Sequence, residues 1–328
     1  MDKRELTLKI ENSFNDVKAI VIGDIMVDEY ITGRVRRISP EAPVPVLDFK
    51  ERSLQAGGAS NVAHNMQSLG ATVSVVGTAA MDANGVWLRK HFEELRIGTD
   101  GIFAEGTRPT TTKARYATKG QQLLRVDNED ARGISEETQR KILDYLEKNI
   151  KDCSVVVLSD YCKGVFEDGE FVKAIIRLCG DNGVIVGIDS KSKDIGAFKG
   201  ADFVKPNNLE LEAAVNIRIE DEASLDMAGR KYLELSGAKA LIVTRGSKGI
   251  SLFVPGQNRA DFPAKDVQVY DVCGAGDTVI STVGMGMACD LEIADAIRLA
   301  NLAAGVVISR VGTVAVERDE LLRSVNEG

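Results

Sequence analysis

Compact apolar runs alternate with amphipathic patterns along most of the chain. The first run, residues 18–24, ends in Gly23-Asp24, which is typical of a buried parallel strand that carries polar groups at its carboxyl end. Similar runs follow at 73–77, 154–159, 184–189, 201–204 and 240–244. Helical patterns lie at 59–69, 83–95, 136–150, 168–179, 209–215, 222–236 and 292–309. The alternation predicts an α/β protein whose mostly parallel sheet is covered by helices on both faces.

Two stretches break this alternation. Residues 29–51 contain Pro40, Pro43 and Pro45 among alternating apolar positions, and residues 109–127 alternate in a similar way. Both predict short antiparallel strands with one polar face, since proline is confined to sheet edges. We expect them to pair into a small β-sheet lid over the ligand edge, with an exposed apolar face that forms a homodimer interface. The prediction is therefore one core domain over residues 1–328 with a discontinuous lid.

The composition is that of a soluble globular protein, with 44% hydrophobic and 27% charged residues. A net charge of −8 argues against general nucleic-acid binding, although local Lys and Arg can still bind a small anion. The five cysteines form no Cys-x-x-Cys pair, as expected of reduced thiols in the cytoplasm. The sequence shows neither the apolar core of a signal peptide nor a stretch approaching a membrane span. We therefore expect a cytoplasmic protein with no nucleic-acid and no membrane partner.

The segment Asp271-Val272-Cys273-Gly274-Ala275-Gly276-Asp277-Thr278 carries the most specific chemistry. Small residues before a helix-compatible run allow backbone N–H groups to converge on an anion, which the helix dipole also favours. A carboxylate beside such an anion site suits proton removal from a hydroxyl while the N–H groups stabilise the transferred group. The pattern therefore indicates phosphoryl transfer to an alcohol, with Asp277 as the base. An ordinary glycine-rich helix start with a capping Asp is the alternative.

Two common nucleotide-binding motifs are absent from the sequence. No G-x-x-x-x-G-K-[ST] loop occurs, and no G-x-G-x-x-G follows the first apolar run. The sequence therefore gives no support to a P-loop enzyme or to an oxidoreductase with the usual dinucleotide fold.

Candidate sugar-binding residues lie near the first strand and before the first long helix. Gly57 and Gly58 precede a helical pattern, where paired glycines let a ligand approach the backbone, and Asn61 offers an amide to hydroxyls. Asp24 and Asp28 follow the first strand, where carboxylates suit sugar hydroxyls. A flexible helix start is the alternative for the glycines, and a turn or helix cap is the alternative for the acids.

Candidate nucleotide-binding residues follow three later strands. Asn207 and Glu210 are spaced as in a helix capping box, and the functional alternative places Asn207 near phosphate and Glu210 near a hydrated Mg²⁺. Lys191 follows another strand and is a candidate phosphate contact. The segment Thr244-Arg245-Gly246-Ser247-Lys248-Gly249 is either a wall of the nucleotide site or a hairpin turn.

The chain resembles the ribokinase-like (PfkB) family of carbohydrate kinases over essentially its whole length. The resemblance rests on Gly57-Gly58 with Asn61, Asn207-x-x-Glu210, Thr244-Arg245-Gly246 and Asp271-x-x-Gly274-Ala275-Gly276-Asp277. It implies a three-layer α/β/α sandwich with a small β lid, ATP and Mg²⁺ as cofactors, and Asp277 as the catalytic base. It also implies an adenine site near Asn301 and Ala304.

Within this family the chain is most similar to kinases of D-glycero-β-D-manno-heptose 7-phosphate. The similar runs lie at residues 37–46, 112–115, 121–123 and 158–164. The resemblance implies phosphorylation of the anomeric C1 hydroxyl to the 1,7-bisphosphate in ADP-heptose synthesis. Ser190 and Val272 depart from the residues usual at their positions. No H-x-G-H nucleotidyltransferase motif occurs in the 328 residues, so we expect a kinase that stands alone.

A sugar that already carries a phosphate requires a cationic pocket away from Asp277. Lys113 and Arg115 on the predicted lid and Lys163 at a strand end are the candidates, and Arg suits bidentate contact. A solvated edge-strand face is the alternative for the two lid residues. The resemblance adds Asp160 to the substrate site. The rival functions are a kinase for another phosphosugar, such as fructose 1-phosphate or tagatose 6-phosphate, and a non-catalytic sugar-phosphate sensor.

Overall fold

The computed structural model describes residues 3–310, 312 and 314–327, and thirteen strands and ten α-helices lie in this part of the chain. The strands are β1 (Lys18–Gly23), β2 (Ile25–Ile38), β3 (Pro45–Gly58), β4 (Thr72–Thr78), β5 (Gly98–Phe103), β6 (Thr111–Thr118), β7 (Gln121–Asn128), β8 (Val155–Asp160), β9 (Ile185–Ser190), β10 (Phe203–Val204), β11 (Leu241–Thr244), β12 (Ile250–Phe253) and β13 (Ala260–Phe262). The helices are α1 (Lys3–Ser13), α2 (Ala59–Ser68), α3 (Ala83–Glu94), α4 (Glu136–Asn149), α5 (Gly169–Asp181), α6 (Asn208–Val215), α7 (Glu222–Ser236), α8 (Ala275–Ala288), α9 (Ile293–Ile308) and α10 (Arg318–Glu327).

Nine strands form the central sheet, in the order β13-β12-β11-β10-β9-β8-β1-β4-β5. The neighbours from β11 to β5 pair in parallel, whereas β11, β12 and β13 pair antiparallel at one edge. Parallel neighbours need long crossover connections, which the helices supply. The carboxyl ends of the parallel strands therefore meet along one edge of the sheet.

Successive residues of the inner strands face opposite sides of the sheet. Val21 and Val157 pack in one core cluster, whereas Ile22 and Leu158 pack in the other. The first cluster includes residues of α1–α3 and α8–α10, and the second includes residues of α4–α7. Strands that are apolar on both faces are typical of a parallel sheet between two helical layers. The predicted three-layer α/β/α sandwich is confirmed.

A second, four-stranded sheet has the order β3-β2-β6-β7. β2 and β3 form an antiparallel hairpin, and β6 and β7 form another, while β2 and β6 run parallel. The prediction of a small β sheet from the two segments at 29–51 and 109–127 is confirmed. The β2–β3 hairpin is longer than predicted, with 14 residues in each strand. Because β6 pairs with β2 from Met26 to Thr32, the far half of this hairpin extends beyond the rest of the small sheet.

Four elements were not predicted from the sequence. They are β5 and β13 at the two edges of the large sheet, β12 beside β13, and α10 near the end of the described chain. Edge strands are short and partly polar, so their apolar pattern is weak. Among the described residues, no helix has the length and apolar character needed to cross a membrane.

Candidate active site

A cleft of about 800 Å³ opens at the carboxyl ends of β8–β11, beside the start of α8. Its lining includes polar residues from the strand ends and apolar residues from α9, which is typical of a small-molecule site. Lys191, Asn207, Glu210, Thr244, Gly246, Gly249, Gly274, Gly276, Asp277, Asn301 and Ala304 line it. All of these had been predicted to bind nucleotide or to take part in catalysis. Because the carboxyl ends of the parallel strands meet along one edge of the sheet, most of the residues predicted to bind ATP lie in one cavity.

The start of α8 forms one end of the cleft. Gly274 caps the helix with φ 78°, a left-handed conformation that glycine adopts without strain. The N–H groups of the first helical turn have no carbonyl partner within the helix, and the helix dipole gives this end positive character. The Ala275 N–H donates to the Val272 carbonyl at 3.4 Å. The predicted anion site used the N–H groups of Ala275, Gly276 and Asp277. Since the Ala275 N–H is already paired, the N–H groups of Gly276 and Asp277 remain to bind an anion.

The Asp277 carboxylate is buried, with 6% of the residue exposed. Its Oδ2 accepts a hydrogen bond from Asn61 Nδ2 at 2.6 Å, and its Oδ1 accepts one from the Tyr161 hydroxyl at 3.0 Å. Burial, with a further contribution from the charge of Asp189, raises the pKa of Asp277 to about 6, although Asn61, Lys205 and Tyr161 act in the opposite direction. A carboxyl group with a pKa near the working pH can accept and release a proton readily.

Lys205 lies beside this carboxylate, and its importance was not predicted from the sequence. Its side chain is 4% exposed, and Nζ lies 3.0 Å from Asp189 Oδ2. Burial alone would lower the pKa of this ammonium, but Asp189 and Glu210 raise it, so Lys205 stays charged. A Cβ on Gly276 would lie 3.2 Å from Lys205 Nζ, so the glycine lets the ammonium approach the helix start closely. The sequence signal was the Lys at the end of the β10 run, directly before Pro206.

Asn207 and Glu210 form the capping box that the sequence offered as one alternative. Glu210 N–H donates to Asn207 Oδ1 at 2.9 Å, and Asn207 N–H donates to Glu210 Oε2 at 2.8 Å. Both residues also line the cleft, where Asp189 and Asp277 add carboxylates. No group of three or more His, Cys, Asp or Glu side chains among the described residues is placed to enclose a metal ion. A few carboxylate oxygens at an open cleft suit a Mg²⁺ that keeps most of its water.

The segment 244–249 is both a hairpin turn and a wall of the cleft. The Arg245 N–H donates to the Gly249 carbonyl at 2.8 Å, which closes the turn between β11 and β12. Arg245, predicted to bind ATP, is not among the residues that line the cleft. Its guanidinium pairs with Glu222 and Asp261 and donates to Ser251, on the helix side of the hairpin. Because these partners hold both terminal nitrogens of a 6% exposed side chain, Arg245 stabilises the hairpin.

The apolar end of the cleft lies against α9. Asn301 and Ala304 line it, and Asn301 Nδ2 donates to the Pro263 carbonyl at 2.5 Å. The loop after β13 also lines this end of the cleft, with Val267 and Val269, which were not predicted. No periodic pattern marks an irregular loop, so the sequence offered no signal for it. The Lys191 ammonium lies 4.0 Å from the centroid of the Tyr161 ring, at the border with the sugar end.

The sugar end is formed by the small sheet and the start of α2. Gly58 ends β3 with φ 58°, which favours glycine, and a Cβ on Gly57 would lie 2.5 Å from Asp28 Oδ2, so a larger residue at Gly57 would displace the Asp28 carboxylate. Asp28 pairs with the Arg115 guanidinium. Asn61, on α2, is held against Asp277. The structure therefore brings the glycine pair, Asn61 and Asp28 to the side of the cleft that faces the small sheet.

Asp24, predicted to bind sugar, lies outside the lining of the cleft. The residue is 2% exposed, and its carboxylate accepts N–H bonds from Tyr161, Lys163 and Val165 at 2.8, 3.0 and 3.4 Å. Burial raises the pKa of Asp24 to about 6 despite these bonds. Because its oxygens are engaged by the backbone of the loop after β8, Asp24 is an anchor for that loop.

Asp160 is also engaged within the protein, although it borders the cleft. Its oxygens accept from the Cys162 N–H at 2.8 Å and from the Ser190 hydroxyl at 2.6 Å, and the residue is 5% exposed. The departure from the family pattern at Ser190 thus supplies a partner for a buried carboxylate. These contacts favour a structural role for Asp160 over the predicted substrate contact.

The three predicted phosphate-binding cations all pair with acids in the structure. Lys113 Nζ lies 3.2 Å from Glu129 Oε2, and Lys163 Nζ lies 2.6 Å from Glu129 Oε1. Glu129, which follows β7, was not predicted because an acid in a polar stretch carries no distinctive pattern. Arg115 is held by Asp28. The side chains of Lys113 and Arg115 are 14% and 22% exposed, so they do not form the solvated face offered as the alternative for them.

Comparison with known proteins supports the resemblance seen in the sequence. Residues 17–319 match the model of the pfkB family carbohydrate kinase. The chain is 39% identical over 328 residues to the bifunctional protein HldE of Citrifermentans bemidjiense, covering 100% of this chain and 67% of that protein. It is 40% identical over 308 residues to the bifunctional protein HldE of Desulfatibacillum aliphaticivorans, covering 94% of this chain and 63% of that protein. The chain spans about two thirds of the length of these relatives.

Solved structures share the fold. Arabidopsis thaliana ribokinase complexed with ribose and ATP has a TM-score of 0.76 at 20% identity, covering 94% of this chain and 98% of that chain. Phosphofructokinase-2 from Escherichia coli in complex with potassium has a TM-score of 0.78 at 19% identity, covering 95% and 99%. Both have the ribokinase-like fold predicted from the sequence. With the family match over most of its length, this chain belongs to the pfkB family of carbohydrate kinases.

Proposed function

We propose that this sugar kinase phosphorylates the C1 hydroxyl of D-glycero-β-D-manno-heptose 7-phosphate with ATP, giving the 1,7-bisphosphate for ADP-heptose synthesis in the cytoplasm. The observation that carries the kinase chemistry is the meeting of Asp277, the start of α8 and Lys205 at one point of the cleft. The choice of sugar is supported by the heptose-kinase-like runs at 37–46 and 158–164 and by the similarity to the HldE relatives.

In the proposed mechanism, Asp277 accepts the proton of the C1 hydroxyl as that oxygen attacks the γ-phosphate of ATP. The N–H groups of Gly276 and Asp277 and the Lys205 ammonium face the negative charge that develops on the transferred phosphoryl. Asn61 keeps the carboxylate in place through its 2.6 Å hydrogen bond. All of these groups are fixed by burial before the substrates bind, so little reorganisation is needed.

A magnesium ion fits the donor groups of the cleft. Glu210 would hold it through water, because Oε2 of Glu210 already accepts the Asn207 N–H. When bound, Mg²⁺ neutralises charge on the ATP phosphates. Asn207 and Lys191 are the proposed phosphate contacts from the protein.

The phosphate already on the sugar is proposed to bind among Lys113, Arg115 and Lys163. These cations come from β6 and from the loop after β8, so they meet between the small sheet and the core. Their present partners, Glu129 and Asp28, hold them in a half-buried place with few water contacts. Charge-assisted bonds to phosphate are stronger in such surroundings than on an open surface.

We further propose that two copies of the chain pair through their small sheets. Phe49, Leu124 and Val126 of this sheet are 67%, 57% and 45% exposed. Large apolar side chains gathered on one exposed sheet favour burial against a partner.

Release of ADP from MgATP tests the proposal, with purified heptose 7-phosphate, fructose 6-phosphate and ribose compared for the wild type and Asp277→Asn. We expect turnover with the heptose, reduced on the order of 10²–10³-fold in the variant because a base in the transition state is lost. Turnover with only another sugar would support kinase activity but contradict the heptose as the substrate. A wild type that binds the phosphosugar but turns over none of the sugars would favour the sensor.

A further inference from the structure

Tyr161 joins three parts of the site that come from distant parts of the chain. Its hydroxyl donates to Asp277 Oδ1 at 3.0 Å, its N–H donates to Asp24 Oδ2 at 2.8 Å, and its ring lies 4.0 Å from the Lys191 ammonium. The ring is half-buried and lines the cleft. None of the roles assigned so far to the sugar, the nucleotide or the base uses this side chain.

The direction of the hydrogen bond between Tyr161 and Asp277 follows from their charges. The negative charge of Asp277, with burial, holds the pKa of the Tyr161 hydroxyl well above its ordinary value, so the hydroxyl keeps its proton and donates. Around Asp277, Asp189 at the end of β9 raises the pKa of the carboxyl, and Asn61 on α2 and Lys205 after β10 lower it. The pKa of Asp277 therefore depends on Tyr161 together with Asp189, Asn61 and Lys205.

The backbone of Tyr161 is itself fixed by a buried acid. The three N–H bonds that Asp24 accepts hold the loop from Tyr161 to Val165 against the ends of β1 and β8. A buried carboxylate that accepts several backbone N–H groups is a strong local anchor, because removing it would leave those donors unpaired. Asp24 does not reach the cleft, but it can affect catalysis because it holds the loop that positions Tyr161.

We propose that Tyr161 is a positioning residue for the catalytic base. Its hydroxyl fixes Oδ1 of Asp277 while Asn61 fixes Oδ2, so that the carboxylate plane cannot rotate when the sugar hydroxyl arrives. This inference rests on the proposed function, because it assigns Tyr161 a part in the same proton transfer. Asp24 holds the loop in which Tyr161 lies, and the ring carries Lys191 at the border with the nucleotide end.

The test is Tyr161→Phe in the full chain, which keeps the ring beneath Lys191 and removes the hydroxyl. We expect kcat to fall roughly 10- to 100-fold, since one hydrogen bond to a charged group is lost, with little change in the KM for ATP. The acid limb of the kcat/KM profile should move up by about one pH unit, because a donor to the carboxylate is gone. Tyr145→Phe on α4, whose backbone carbonyl accepts a bond from Asn149, is the matched control and should match the wild type.

A folded Tyr161→Phe with wild-type kcat and an unmoved acid limb would overturn the inference while leaving the proposed function intact. If Tyr161→Phe does not fold, 3-fluorotyrosine at position 161 replaces it. It keeps the ring shape and has a more acidic hydroxyl, so the acid limb should move down, and an unmoved limb would count against the inference.

A second readout separates this inference from the proposed function. Titration of ¹³C-labelled Asp carboxyls by NMR identifies Asp277 through the signal that Asp277→Asn lacks. We expect its pKa to rise in Tyr161→Phe, even if no sugar is turned over by the wild type. A pKa equal to that of the wild type would refute the inference whether or not the protein proves to be a heptose kinase.

Discussion

At the scale of single residues, the site combines groups that are costly to bury. Asp277 and Lys205 are 6% and 4% exposed, and neither has the open solvent that charged side chains prefer. Lys205 is stabilised by its pair with Asp189, whereas Asp277 depends on hydrogen bonds from Asn61 and Tyr161 and on the nearby ammonium. A buried carboxyl with a raised pKa favours the fold when protonated and opposes it when ionised.

Replacing Asp277 with Asn should therefore stabilise the protein above about pH 6 while lowering its turnover on the order of 10²–10³-fold. The wild type is expected to lose stability as the pH rises from the ordinary Asp value of 3.8 to the folded value of about 6, because the unfolded chain releases the proton first. The neutral amide of the Asp277→Asn variant does not ionise, so the variant does not lose this stability. The pKa difference corresponds to about 2–3 kcal/mol in the free energy of unfolding near pH 8. Urea unfolding of both proteins between pH 4 and pH 8 measures this difference in the free energy of unfolding.

A matched control uses a carboxylate that is already in solvent. Asp100→Asn changes an exposed residue of β5 and should leave the pH dependence of unfolding unchanged. If Asp277→Asn were no more stable than the wild type at pH 8, the ionised carboxylate would be better stabilised by Lys205 than the raised pKa indicates.

At the scale of elements, Glu129 is one link between the small sheet and the core. This residue follows β7 and pairs both with Lys113 on β6 and with Lys163 on the loop after β8. Burial alone would raise the pKa of Glu129, but Lys163 and Lys113 lower it, so the carboxylate is charged. A substrate phosphate would therefore compete with the Glu129 carboxylate for these two lysines.

Glu129→Gln is expected to lower the KM for the phosphosugar by a few-fold, since the amide keeps the shape and no longer repels a phosphate. The KM for ATP should not change, because Glu129 lies outside the lining of the nucleotide cleft. Steady-state kinetics with both substrates varied measures the two constants. Glu137→Gln, which breaks an exposed pair with Lys141 on α4, is the control. A raised KM for the phosphosugar would mean instead that Glu129 is needed to position the lysines.

At the scale of the whole molecule, the large sheet is covered by helices on both faces, whereas much of the small sheet is exposed. The two core clusters account for the helices on either side of the large sheet. The small sheet exposes large apolar side chains, and its long hairpin reaches past β6. This difference is the physical basis of the proposed pairing of two copies.

Phe49→Glu should convert a dimer into a monomer, because a charge would be buried at the proposed interface. Light scattering coupled to size exclusion measures the mass of each protein. Leu8→Glu on α1, where the wild-type side chain is 47% exposed, is the control and should leave the mass unchanged. A wild type that is monomeric at micromolar concentration would contradict the pairing.

Much of the fold was predictable because it depends on local patterns. The apolar runs at 18–24, 73–77 and 154–159 became the buried strands β1, β4 and β8, since strands apolar on both faces need no partner to be recognised. β13 escaped prediction because it is a three-residue edge strand with two exposed residues. The capping box at Asn207 was likewise readable, as it involves residues three apart.

The sequence by itself determined the order of most strands and helices, the glycine-rich start of α8 and the selection of Asp277 as the candidate base. Each of these depends on neighbouring residues, on a fixed period or on a motif within a short segment. Tertiary structure alone decided which acids reach the cleft. Asn61 meets Asp277 across 216 positions of sequence and Tyr161 meets it across 116, whereas Asp24 turns to the backbone and Arg245 to the helix side. Partners of this kind are set by the packing of the sheet and its helices, which brings distant segments together, and no local pattern encodes them.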